Sequence, residues 1–183
     1  MSGLEFREEL LKLVKEKALK KGNFTLSSGK KANFYIDGKQ VTLDPQGIFL
    51  VGKTILALLH GTNADAVGGP TLGADPMAAA VSLLSSQTGK PLKAFIVRKD
   101  EKKHGTQKRI EGPALEAGSR VAMVEDVITT GQSVLEAIRE VEKLKCRVVK
   151  VICLVDREEG AQDLLKDYSF LPIFTKTELG ISA

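Results

Sequence analysis

One stretch limits what this 183-residue chain can fold into more than any other: Val-Ala-Met-Val-Glu-Asp-Val-Ile-Thr-Thr-Gly-Gln-Ser, residues 121–133. Its first four residues form an unbroken apolar run between Arg120 and Glu125, as expected for a strand buried on both faces. Strands of that kind belong to parallel sheets with helices on either side. Glu125 and Asp126 fall where the strand is expected to end. A hydroxyl-rich bend follows, and then a helix expected over about residues 134–145. Gly131 permits the positive φ of a tight turn, and Ser133 or Thr130 has the side chain of an N-cap.

The bend carries chemistry as well as shape. Thr129, Thr130, Gly131, Gln132 and Ser133 would present free backbone N–H groups at the positive end of a helix dipole, a ready phosphate site. Two adjacent carboxylates, Glu125 and Asp126, would repel a phosphate unless they hold something else; sugar hydroxyls or a metal would satisfy them. Together the parts suit a phosphorylated sugar, phosphate in the bend and diol on the acids.

The rest of the chain alternates helices and strands. Residues 4–20 read as an amphipathic helix with Phe6, Leu10, Leu13 and Val14 on one face, ended by Gly22. Residues 24–37 read as a hairpin around Ser-Ser-Gly-Lys, with Phe34 and Tyr35 on opposite faces and one ring free to stack on a planar base. Asp44 and Pro45 open a helix running to about His60. Inside it, residues 47–54 match the P-loop pattern G-x-x-x-x-G-K-[ST] letter for letter. The match is rejected, because the four intervening residues are large and apolar and no strand precedes them. A strand over 64–69 feeds a Gly-rich loop over 70–76, either a backbone contact for a diphosphate or a plain turn. Asp75 would cap the helix after it, over 77–86. A strand over 92–97 leads into residues 98–113, too charged to pack and too long for an ordinary connector, hence a lid or a disordered, solvated loop. A strand over 148–155 ends in Asp-Arg-Glu-Glu-Gly. Arg157 would there clamp a carboxylate bidentately, or pair with Asp156 or Glu158. A helix over 161–166 and a strand over 171–174 complete an α/β, doubly wound, mainly parallel sheet. We read residues 1–183 as one domain with a small N-terminal hood at about 20–45.

Charge narrows the partner. The formal net charge is +4, and the segment 98–109 holds six basic and two acidic residues, the whole of the excess. A basic lid suits a compact polyanion better than a nucleic acid, which wants a broad basic face. Cys146 and Cys153 show neither C-x-x-C spacing nor a partner His cluster, so both are expected reduced and without zinc. No apolar run approaches the roughly 20 residues of a membrane span, and the N-terminus lacks the apolar core of a signal peptide. A cytoplasmic protein that binds neither membrane nor nucleic acid is expected.

The apolar run, Glu125-Asp126, Val127-Ile128-Thr129-Thr130-Gly131 and Ser133 resemble the phosphoribosyl pyrophosphate (PRPP) signature of the type I phosphoribosyltransferases. Arg98-Lys99-x-x-Lys102-x-His104-Gly105 resembles the flexible catalytic loop of the orotate phosphoribosyltransferases. Asp156 to Gly160 resembles their orotate-binding strand end, and Phe24-Thr25-Leu26-x-Ser28-Gly29 with Phe34-Tyr35 resembles their hood. The resemblance implies the reaction of orotate with PRPP to orotidine 5′-monophosphate and pyrophosphate, with Mg²⁺, in pyrimidine (UMP) synthesis. It implies that Val127, Ile128, Thr129, Thr130, Gly131, Gln132 and Ser133 hold the 5-phosphate end and that Glu125 and Asp126 bind the ribose hydroxyls. Arg98, Lys99, Lys102 and His104 would embrace the diphosphate, with Lys102 and Asp126 catalytic. Arg157 would take the orotate carboxylate, with Thr129, Phe34 and Tyr35 near the base. Mg²⁺ would be held mainly through PRPP, with no direct protein ligand, and the loop would be shared across a homodimer. Ser27 and Thr71-Leu72-Gly73 stand where some members carry lysines. Two rivals are a phosphoribosyltransferase for another base and a PRPP-sensing regulator that binds nucleic acid.

Overall fold

The apolar runs assemble into one six-stranded sheet flanked by helices. The computed structural model describes residues 3–25, 31–99 and 109–181. Its strands are β3 (Ala66–Pro70), β4 (Lys93–Val97), β5 (Ile110–Glu111), β6 (Arg120–Ile128), β7 (Arg147–Asp156) and β8 (Phe170–Thr175). Every pairing is parallel except β4 with β5. Side chains alternate faces along each strand. On β6, Ala122 and Val124 enter the core shared with the N-terminal helices, while Val121 and Met123 enter the opposite core. On β7, Ile152 and Leu154 face one way and Val151 and Cys153 the other. Each of the Val, Ile, Leu and Met side chains among them stabilises the sheet by about 1.5–3 kcal/mol when fully buried.

The first core is covered by α1 (Gly3–Leu13), α3 (Pro45–Leu59) and α4 (Ala74–Ser85), and the second by α5 (Gln132–Lys143) and α6 (Ala161–Leu164). Asp44 caps α3 as expected, its side chain accepting from the Gln46 and Gly47 amides at 3.1 and 2.9 Å. The P-loop look-alike therefore lies within α3, where its amides are spent on the helix.

Several boundaries differ from expectation. The first helix stops at Leu13, widens into a π-helical segment over Val14–Ala18, and gives way to β1 (Leu19–Thr25). Gly22 does not end the helix; it sits in β1 at a register shift against β2 (Lys31–Ile36). The antiparallel pair β1–β2 is the expected hairpin, and its turn lies outside the described residues. The fourth helix begins at Ala74 with Gly73 as N-cap, so Asp75 is inside it and is no cap; its Oδ2 accepts from the Thr71 hydroxyl at 2.8 Å. Residues Ile110–Glu111 form a short antiparallel edge strand against β4, within the span read as lid.

The chain order places the ligand crevice. From β3 the chain moves outward to β4 and β5, then returns to the other side of β3 for β6, β7 and β8. Between β3 and β6 the winding reverses, which is where open α/β sheets bind ligands at their carboxyl edge.

Candidate active site

Strand β6 continues four residues past its apolar run, so Glu125 and Asp126 lie within the strand and not at its end. The physical reason is its neighbours. Pairing with β3 stops at Gly68↔Met123, whereas β7 accompanies β6 through Ile128↔Asp156. The acids satisfy backbone that β3 does not reach: the Asp126 amide donates to Glu125 Oε1 at 3.1 Å and the Val127 amide to Asp126 Oδ1 at 2.8 Å.

Both carboxylates are buried, at 8% and 6% exposure. Burial, followed by the charge of Asp126, pushes the Glu125 carboxyl well above its ordinary value. Two glycines make the room. A Cβ on Gly73 would stand 1.9 Å from Glu125 Oε1 and 2.3 Å from Asp126 Oδ1, and one on Gly38 would stand 2.8 Å from the Asp126 Cβ. The loop holding Gly73 also has a cis peptide between Thr71 and Leu72.

A cation not foreseen from the sequence completes this group. Lys39, at the start of the short helix α2 (Lys39–Thr42), places Nζ 3.2 Å from Asp126 Oδ2 and 3.4 Å from Asp37 Oδ1. Burial acts to lower the Lys39 ammonium, but Asp126 and Asp37 outweigh it and hold the value above the ordinary one. The Lys39 link to Asp126 spans 87 positions of sequence.

The bend after β6 is open. Gly131 adopts φ +88° and is itself the N-cap of α5, replacing Ser133 or Thr130 in that role; the Thr130 hydroxyl is only 3.5 Å from the Gln132 amide. Among the described residues, the amides of Thr129, Thr130, Gly131, Ser133 and Val134 donate to no protein acceptor. A concavity of about 120 Å³ is lined by Glu125, Val127 and Ile128 together with the five residues 129–133 and Val134. Free amides at a helix N-terminus make this an anion cup.

A second concavity of about 480 Å³ shares Glu125, Val127 and Ser133 with the cup and adds Asp126, Thr71, Arg98, Lys99 and Arg109. The two ends of the expected lid are clasped here. The Arg98 amide donates to the Arg109 carbonyl at 2.8 Å and Arg109 Nε to the Arg98 carbonyl at 3.0 Å. Arg109 is anchored further by Glu140 at 2.9 Å, and Arg98 Nη1 is 3.4 Å from Glu111. Lys102 and His104 lie outside the described residues.

Arg157 follows β7, and its amide donates to the Ile128 carbonyl at 2.9 Å, next to Thr129. Its guanidinium is stacked under Phe34, 5.1 Å from the ring centre, so the hood hairpin and the end of β7 meet at this side chain. Tyr35 lies on the other face of the hairpin with its ring against Phe24, so the structure does not bring it to Arg157. The alternative pairing of Arg157 with Asp156 or Glu158 is not found among the described residues; Nη2 contacts Glu159 Oε1 at 2.7 Å.

Among the described residues no group of three or more His, Cys, Asp or Glu could hold a metal ion. No helix among them is long and apolar enough to cross a membrane.

Comparison with known proteins gives the chain its relatives. A family model described as the phosphoribosyl transferase domain matches residues 39–178. The chain is 43% identical over 176 residues to the orotate phosphoribosyltransferase of Aquifex aeolicus, covering 94% of this chain and 95% of that one. It is 43% identical over 180 residues to that of Streptomyces coelicolor, covering 97% and 98%. The crystal structure of Mycobacterium tuberculosis orotate phosphoribosyltransferase in complex with PRPP superposes with a TM-score of 0.80 at 34% identity, over 96% of this chain and 99% of that one. The Leishmania donovani adenine phosphoribosyltransferase shares the fold at TM-score 0.69 and 14% identity, over 94% and 81%. The fold therefore does not by itself choose the base.

Proposed function

The chain belongs to the phosphoribosyl transferase family, and from that premise we propose that it is an orotate phosphoribosyltransferase, moving the 5-phosphoribosyl group of PRPP onto orotate in pyrimidine nucleotide synthesis. One observation carries the choice of base: Arg157 is a buried guanidinium beside the anion cup, stacked on a hood aromatic. Orotate brings a carboxylate that a guanidinium recognises bidentately. Uracil or a purine brings none.

In this reading the 5-phosphate sits in the cup on the free amides of Thr129, Thr130, Gly131, Ser133 and Val134. The ribose hydroxyls meet Glu125 and Asp126, with Lys39 yielding part of its hold on Asp126. The diphosphate lies in the larger concavity toward Arg98 and Lys99, and Lys102 and His104, outside the described residues, would add their charge to it. The bond from C1 to the diphosphate oxygen breaks, its electron pair leaves with pyrophosphate, and the orotate ring nitrogen bonds to C1 and gives up its proton, which the departing pyrophosphate takes up. Lys102 opposes the charge growing on the leaving group, which is electrostatic catalysis. A closed lid keeps water from the activated sugar.

Among the described residues no group of three or more His, Cys, Asp or Glu could hold a metal ion, which suits a Mg²⁺ ion that would be held mainly through PRPP. Such an ion would neutralise diphosphate oxygens. A homodimer sharing its lids and a cytoplasmic location complete the proposal.

The test is a PRPP-dependent assay with orotate, uracil, adenine and hypoxanthine, following orotate absorbance and pyrophosphate release. We expect orotate to be consumed and the other bases to be left. Preferential turnover of a base without a carboxylate would refute the assignment. Replacing Lys102 with Ala is expected to lower kcat by about 10²-fold or more while leaving the dissociation constant of orotate within about twofold; equal losses in both would contradict the role given to it.

A further inference from the structure

Three carboxylates flank Arg157, and each is engaged differently. Asp156 is 1% exposed, and its Oδ1 accepts from the Glu158 amide at 2.9 Å. Glu158 reaches away to Thr177, accepting from its amide at 2.8 Å and its hydroxyl at 2.7 Å. Glu159 alone of the three contacts the guanidinium, Oε1 to Nη2 at 2.7 Å. The turn that carries it there has left-handed backbone on both sides, φ +56° at Glu158 and +105° at Gly160. A glutamate rarely adopts that conformation, so the turn is specified and not slack.

The two partners are held unequally. The Arg157 side chain is 10% exposed and clamped by Phe34, whereas Glu159 is 39% exposed at the solvent side of the pair. Among the described residues, Arg157 Nε is buried and has no acceptor, so one donor of the guanidinium is unsatisfied while Nη2 holds Glu159. The cation is fixed, and the carboxylate is the partner free to swing out.

We propose that Glu159 is a resident stand-in for the substrate's carboxylate: it pairs the buried Arg157 while the base subsite is empty and is displaced when a carboxylated base or its nucleotide binds. This rests on the reading of Arg157 as the orotate clamp. A buried cation with no counter-charge is strongly unfavourable, and Glu159 removes that penalty from the empty site. Orotate then exchanges one carboxylate for another, so its affinity reflects a difference between two ion pairs. The same exchange eases departure of the carboxylated product, because Glu159 returns as the product leaves. PRPP touches neither partner and is indifferent to the exchange.

Glu159→Gln keeps the shape and removes the charge; Glu159→Ala is the second variant, and thermal unfolding is the check that each is folded. Wild type is assayed first for orotate turnover with PRPP. We then expect KM for orotate and the calorimetric Kd of orotidine 5′-monophosphate to fall about three- to tenfold in both variants, with KM for PRPP unchanged. A residue that only positions Arg157 would give the opposite sign. A rise in KM for orotate, or no change, with wild type active overturns the stand-in while leaving the enzyme assignment intact. A wild type that neither turns over nor binds orotate overturns both.

Discussion

Glu125 faces Asp126 inside the sheet, and ionising it there places a second negative charge beside the first. Burial and that neighbour raise its folded-state pKa above the ordinary 4.5. Between the two values the folded chain keeps a proton that the unfolded chain has released, so this contribution to stability is complete below the ordinary value and is lost as pH rises through the raised one. Glu125→Gln lacks the effect. Its melting temperature is expected to match that of wild type near pH 4 and to exceed it increasingly as pH rises toward about 8, read by calorimetry across that range. A gap that does not change with pH would contradict the assignment. The acid pair was legible residue by residue, but its protonation was not, since that depends on Gly73, Gly38 and Lys39, which the chain brings from 52, 87 and 86 positions away.

Elements meet at the acids with little clearance. Gly73 has right-handed helical backbone, φ −61° and ψ −42°, which any residue adopts. An alanine there meets no backbone penalty, and its effect is the collision with Glu125 and Asp126 alone. Because both acids are buried and tied to strand amides, they cannot withdraw without giving up those hydrogen bonds. Gly73→Ala is therefore expected to destabilise by about 1–3 kcal/mol and to raise KM for PRPP with KM for orotate little changed. Thermal unfolding and steady-state kinetics check the two parts, and unchanged kinetics would show that the loop after β3 does not approach the sugar. At this scale the strand and helix order was readable from period and punctuation. The ends were less so: β6 runs on through its acids because β7 stays beside it, and β1 absorbs Gly22 because β2 pairs with it.

At the scale of the whole molecule, the proposed dimer makes a prediction about pairs of chains. Lys102→Ala disables the lid, and Arg157→Ala disables the base clamp. If each lid serves the neighbouring subunit, mixing and reassociating the two inactive variants yields mixed dimers with one intact site, and about a quarter of wild-type activity should return. No recovery after verified subunit exchange would mean that each chain uses its own lid. What local chemistry dictates here was open to reading in the one-dimensional chain: the doubly buried strand, the hydroxyl-rich bend with Gly131 at positive φ, the Asp44 cap and the basic segment at 98–109. Each is set by neighbours a few residues apart and by the exclusion of apolar groups from water. Partnerships between distant charges followed different rules. Lys39 on Asp126, Phe34 over Arg157 and Glu159 against its guanidinium arise because the winding of the sheet reverses between β3 and β6 and the hood hairpin reaches the end of β7. A charge's partner is chosen by distance in space and by how much water remains between the two, and neither quantity exists until the chain has folded.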